Sequence, residues 1–146
     1  MIRRLTCLLA MLLVLAGCSL LDSSPGRPLT LTDVSQYGNL QFPDGSRLTS
    51  STYQGFQDRY VTAVVEFEAD RLADFLTRNG LGEPVAGLRA VTNGDRQERP
   101  AWQPDEVVNV LGLNLTDQPD DGVYRRLLFD LDRPDTVVLY LVAFTS

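Results

Sequence analysis

The sequence predicts an α+β domain: an antiparallel sheet of about four strands with one packed helix, a two-layer sandwich. Three observations carry this reading. Tyr60 to Glu68 and Val123 to Asp132 alternate two sets of side chains with a period of two, as strands do. Ala69 to Leu81 places Leu72, Phe75 and Leu76 on one helical face. Thr136 to Thr145, TVVLYLVAFT, is apolar on both faces, which suits a central strand covered on both sides. The order strand, strand, helix, loop, strand, strand then gives α+β.

The elements follow in chain order. "FPDGS" at 42–46 is a turn, with Pro43 fixing φ and Gly45 accepting φ > 0. Arg47 to Tyr53 reads as a short, polar, edge-like strand that Gly55 to Asp58 turns back into Tyr60 to Glu68. There Val61, Ala63, Val65 and Phe67 form a core face, while the opposite face ends in Glu66 and Glu68. Asp70 is the expected N-cap of the helix. Asp74 and Arg78 stand four apart in the favourable acid-first order. With Gly80 at C′, Leu76 and Leu81 become the apolar pair of a Schellman cap.

From Gly82 to Pro104 periodicity is lost, and so long a loop usually has a role. Pro104-Asp105-Glu106 suits the first turn of a helix, yet Val107 to Leu113 suits a buried strand equally. Residues 105–115 stay undecided between the two. "TDQPDDG" at 116–122 is a turn, and Pro134-Asp135 closes the final hairpin. One helix cannot cover both faces of the last strand. Either residues 82–115 fold across the face of Val138, Tyr140, Val142 and Phe144, which the long Trp102 loop favours, or that face is an exposed apolar patch that marks a partner or ligand site. Trp102, framed by Pro100 and Pro104, reads as a plug for that face, with stacking on a sugar as the alternative. A shallow groove at the margin, near Trp102 and Tyr140, is the candidate ligand site.

The N-terminus carries a different signal. Met1-Ile2-Arg3-Arg4 is followed by an apolar run of 12 positions, Leu5 to Ala16, broken only by Thr6 and Cys7. A spanning helix needs roughly 20 apolar residues, so this is the length of a secretory signal peptide. Leu15-Ala16-Gly17-Cys18 resembles the lipobox of bacterial lipoproteins, an apolar residue and two small ones before cysteine. The resemblance implies signal-peptidase recognition through Leu15, Ala16 and Gly17, diacylglycerol attachment to Cys18, and cleavage before it. Two acyl chains hold stably where one holds marginally. The expected organisation is a signal peptide over 1–17, a lipidated cysteine and flexible tether over 18–28, and one globular domain over 29–146. Localisation on the extracytoplasmic face of the cell membrane follows, or on the outer membrane in an organism with two. All 13 basic residues are arginine, which fits a GC-rich genome. The mature chain resembles the small uncharacterised lipoproteins of high-GC bacteria.

Composition narrows the function by exclusion. After cleavage, 11 arginines face 19 acids, a net charge of −8 that disfavours nucleic acid and anionic headgroups as partners. There is no histidine, and no lysine for a Schiff base. Cys7 leaves with the signal and Cys18 is lipidated, so no disulfide or thiol catalysis is expected. No phosphate loop, cofactor motif or metal set appears. Glu66 and Glu68, about 7 Å apart along one strand face, are compatible with an inverting glycosidase pair but read more simply as a solvated face. Gly122 stands sixth from Asp117, as in a calcium loop, but Gln118 and Pro119 break the alternation. With Asp120 and Asp121 this is a plain turn. The expectation is a lipid-anchored, non-catalytic envelope module that binds an unidentified envelope protein or glycan. The alternative is a small carboxylate-dependent hydrolase acting on an envelope glycan.

Overall fold

The computed structural model describes residues 28–55, 58–96, 101–117 and 119–146. Expectations for Leu15, Ala16, Gly17, Cys18 and the tether up to Arg27 lie outside these residues. The chain forms α1 (Leu31–Gly38), β1 (Arg47–Gly55), β2 (Arg59–Glu68), α2 (Leu72–Arg78), β3 (Val85–Ala86), β4 (Val110–Leu115), β5 (Tyr124–Arg133) and β6 (Thr136–Phe144). All strands pair antiparallel in one sheet of order β1-β2-β6-β5-β4-β3.

Among the described residues, the expected sheet of about four strands with one helix is thus corrected to six strands with two short helices. The added helix, α1, has only eight residues, too few for apolar periodicity to speak. Its signal is local. Thr30 caps the N–H of Asp33 while the Asp33 carboxylate accepts from the Thr30 N–H at 2.7 Å, a capping box with aspartate at N3. Asn39 ends the helix in the left-handed region at φ 47°. Over 105–115 both alternatives hold in part: Pro104–Glu106 is one 3₁₀ turn, Val107 to Asn109 lie between the elements, and the strand β4 begins at Val110.

Two layers also become three. The face built from Ala63, Val65, Phe67, Leu127, Phe129, Leu139 and Leu141 lies under α1 and α2. Phe75 of α2 is its hub, with ring centroids 5.4 Å from Phe67, 5.8 Å from Phe42 and 6.2 Å from Phe129. The opposite face carries Val64, Leu128, Val138, Tyr140 and Val142, and the segment after β3 brings Val91, Trp102 and Val107 down onto it. Of the two readings of the doubly apolar β6, cover by the long connection is the one the structure has.

Helix α2 ends as its sequence requires. The Leu81 N–H donates to Leu76 C=O at 2.9 Å and the Gly80 N–H to Thr77 C=O at 3.1 Å, with Gly80 at φ 60°. Asp74 and Arg78 pair at 2.7 Å. Its start differs, because Asp70 is not the N-cap. A 3₁₀ turn over Ala69–Arg71 precedes the helix, and the Ala69 N–H donates to Asp135 C=O at 3.0 Å. That bond ties the exit of β2 to the β5–β6 turn, and the tighter 3₁₀ winding makes the bend.

At the far edge the chain just past β3 passes so close to β4 that glycine is needed at 112. A Cβ there would sit 2.1 Å from the Leu88 carbonyl oxygen. Gly112→Ala is therefore expected to unseat β3 and cost about 1–3 kcal/mol, the range of overpacking changes. Hydrogen exchange should show the loss confined to Val85–Leu88 and β4; unchanged protection there would contradict the close approach.

Candidate functional site

Trp102 and Tyr140 come together, but as core. Trp102 is 0 % exposed, its indole N–H donates to Thr92 C=O at 3.0 Å, and its ring meets Tyr140 edge-on at 5.5 Å. Tyr140 is buried as well. The plug reading describes these two residues, and neither lines any of the surface grooves described below. Around them runs a polar lock: Arg126 pairs with Asp95 at 2.5 Å, and the Tyr60 hydroxyl donates to Asp95 C=O at 3.1 Å. Burial, then the Asp95 charge, pushes the Tyr60 hydroxyl above its ordinary value. The lock pins the Thr92–Asp95 turn to β2 and β5.

Glu66 and Glu68 part company. Glu66 is clasped by Arg47 and by Arg133, the latter at 2.7 Å. Hydrogen bonds from Arg47 and then Arg133 hold its carboxyl below the usual range. A proton donor at a glycosidic bond needs the opposite shift. This triad knits β1, β2 and β5 at one end of the sheet, while Glu68 is exposed with Arg71 3.9 Å away.

The turn at 116–122 contains a cluster that sequence reading missed. Arg125 is buried, with its Nε donating to Gly38 C=O and its Nη1 to Val123 C=O at 3.0 Å. Its other contact is a salt bridge to Asp121, which also accepts from Asn39 at 2.6 Å and from the Val123 N–H at 3.0 Å. Partial burial works against the Asp121 charge, but Arg125, Asn39 and Val123 outweigh it and lower the pKa to about 2. The cluster fastens the end of α1 to the start of β5. Its only sequence signal was an arginine at an inward position of an alternating strand.

Beside this clip runs an open groove of about 440 Å³ between the C-terminal end of α2 and the β4–β5 connection. Asn79, Leu81, Asn114, Leu115, Asp117 and Asp120 contribute to it. Asn79 is committed elsewhere, bridging the Gln41 backbone and the Phe75 carbonyl. A second groove of about 360 Å³ lies along the β3–β4 edge, where Val85 and Val108 are 56 % and 78 % exposed. Asp132 fixes that edge by accepting from the Val108 and Asn109 N–H groups at 2.9 and 2.7 Å, and those bonds lower its pKa. A third, of about 390 Å³, lies between Glu68–Asp70 and Pro134–Asp135.

Among the described residues, no three His, Cys, Asp or Glu side chains are placed to hold a metal ion, and no helix is long and apolar enough to cross a membrane. Comparison with protein-family models, with characterised proteins and with solved structures returned no match.

Proposed function

We propose that this chain is a lipid-anchored protein of the bacterial envelope whose folded domain is a non-catalytic binding module. The observation that carries the reading is Leu15-Ala16-Gly17-Cys18 at the end of the 12-position apolar run behind Arg3 and Arg4. The charge distribution of the domain supports it. Arg47, Arg78, Arg125, Arg126 and Arg133 are paired with carboxylates of the same domain, and Arg89 donates to the Pro104 and Val107 carbonyls. Among the described residues few cations are left to meet anionic lipid, so attachment falls to the acyl chains and distance to the Ser- and Pro-containing tether. The binding-module half of the reading is supported by chemistry. The sequence holds no histidine, and Glu66 is held as an ion-pair partner rather than a proton donor.

Cys18→Ser decides the anchor. The wild-type protein is expected to partition into the detergent phase and to take up labelled palmitate, and the serine variant to lose both. A serine variant that still labels would overturn the anchor.

A further inference from the structure

We propose that the outer edge of β1 pairs with the same edge of a second copy of this chain, antiparallel and across a two-fold axis at Tyr53. The inference goes beyond the anchored binding module and stands without it.

Strand β1 ends the sheet, and among the described residues no strand lies beyond it. The phase of its neighbour β2 tells which backbone groups it leaves free. The Arg59 N–H donates to Thr145 Oγ1 at 3.1 Å, and the Arg59 C=O accepts from the Thr145 N–H at 3.0 Å, so both groups turn toward β6. Gly55 stands opposite Arg59 and therefore turns its own groups away from β2. Pairing is regular from Ser50 to Gly55, beyond a bulge that follows Leu48, so alternation gives Tyr53 and Ser51 the same outward orientation. Three alternate positions thus present both an N–H and a C=O. Such a row is a template for an added strand.

The edge fits a copy of itself. Pairing Ser51 with Gly55 of the second copy, Tyr53 with its counterpart and Gly55 with Ser51 of the second copy sets every outward group opposite a complementary one, about six hydrogen bonds in all. From Leu48 to Gly55 the strand has no charged residue and no proline, the devices that usually guard an edge. This matters in a chain of 19 acids and 13 arginines, whose copies repel over most of their surface. Tyr53 is 38 % exposed, yet its ring is held in place by stacking on Tyr37 at 5.2 Å, and Arg59 lies over Tyr37 in turn. Ser51 and Gly55 flank Tyr53 on the same face of the strand and are small enough to leave room for a second ring. The two tyrosines then meet at the axis as a cross-strand aromatic pair.

Sedimentation equilibrium of the full chain in density-matched detergent reads the protein mass alone. Twice the chain mass is expected at high concentration, falling to one chain on dilution. Ser51→Pro removes an outward donor from each copy without touching a β1–β2 bond, and should raise the dissociation constant about tenfold or more. Ser51→Ala should leave it unchanged. Charge reads the register. Tyr53→Lys and Tyr53→Glu each put like charges opposite one another at the axis and should be monomers alone, whereas mixing the two one to one should restore the dimer. Restoration also requires that both variants fold, and thermal melts of each check this separately. A monomeric wild type, as when the edge serves a strand of some other protein, overturns the proposal. A dimer indifferent to Ser51→Pro, or one that survives either Tyr53 variant alone, overturns it equally, as does a mixture of folded variants that stays monomeric.

Discussion

Trp102→Ala is expected to lower folding stability by about 3–5 kcal/mol, the cost of truncating a fully buried tryptophan. The loss has three sources. It leaves a cavity between the long connection and the sheet, strands the Thr92 carbonyl without its indole donor, and removes the edge-on contact with Tyr140. Tyr140→Ala alone should cost at least about 2–3 kcal/mol. Because the two rings touch, the double variant should cost less than the sum, with a coupling of about 0.5–1.5 kcal/mol. Denaturant titration of the four proteins measures all of this. A tryptophan variant within 1 kcal/mol of wild type would mean that the second face does not depend on its plug.

The second large effect is at the clip. Asp121→Ala leaves the buried Arg125 guanidinium without its anion and Asn39 without its acceptor. Gly38 and Val123 still accept from the arginine, and 31 % of the Asp121 side chain reaches solvent. The cost therefore falls below that of a fully buried pair, at about 2–3 kcal/mol. The same cluster sets the acid limb of stability. Asp121 has a folded pKa of about 2, depressed from 3.8, so its contribution is complete above that ordinary value and is lost as pH falls toward 2. Glu66 and Asp132 shift the same way. With no histidine in the chain, melting temperature should be nearly flat from pH 6 to 8 and should drop below about pH 4. Asp121→Ala should flatten part of that acid drop. A variant whose acid limb matches wild type would show that the clip is not what acid breaks.

How far the sequence speaks depends on the range of each interaction. The end of α2 was readable because Leu76, Gly80 and Leu81 lie within six residues and their bonds are local. The β5–β6 hairpin was readable because Arg133 and Thr136 pair across a two-residue turn. The doubly apolar β6 pointed to cover or an exposed patch on its second face, and the structure has the cover. Element number was not readable. Helix α1 rests on one capping box, and β3 is two residues held by a partner 25 positions away. At the candidate site, Asp117 and Asp120 were visible as a turn, but the groove needs Leu81 and Asn114 beside them. The Arg125 clip needs Gly38, 87 positions upstream, and no local pattern encodes that. For Trp102 the sequence left a plug or a sugar-stacking ring, and its burial against Tyr140 makes it the plug.

The position of β6 has a consequence for biogenesis. It is the last of the six strands along the chain, yet it sits between β2 and β5 in the middle of the sheet. Until it emerges, β1–β2 and β4–β5 are two separate hairpins with no common partner. Its pairing with β2 also spans most of the domain, from Tyr60 to Phe144, so closure is slow by topology. Under the export proposed above, N-terminus first, the chain would remain pliable during passage, and the sheet would zip only when its final segment is released on the far side.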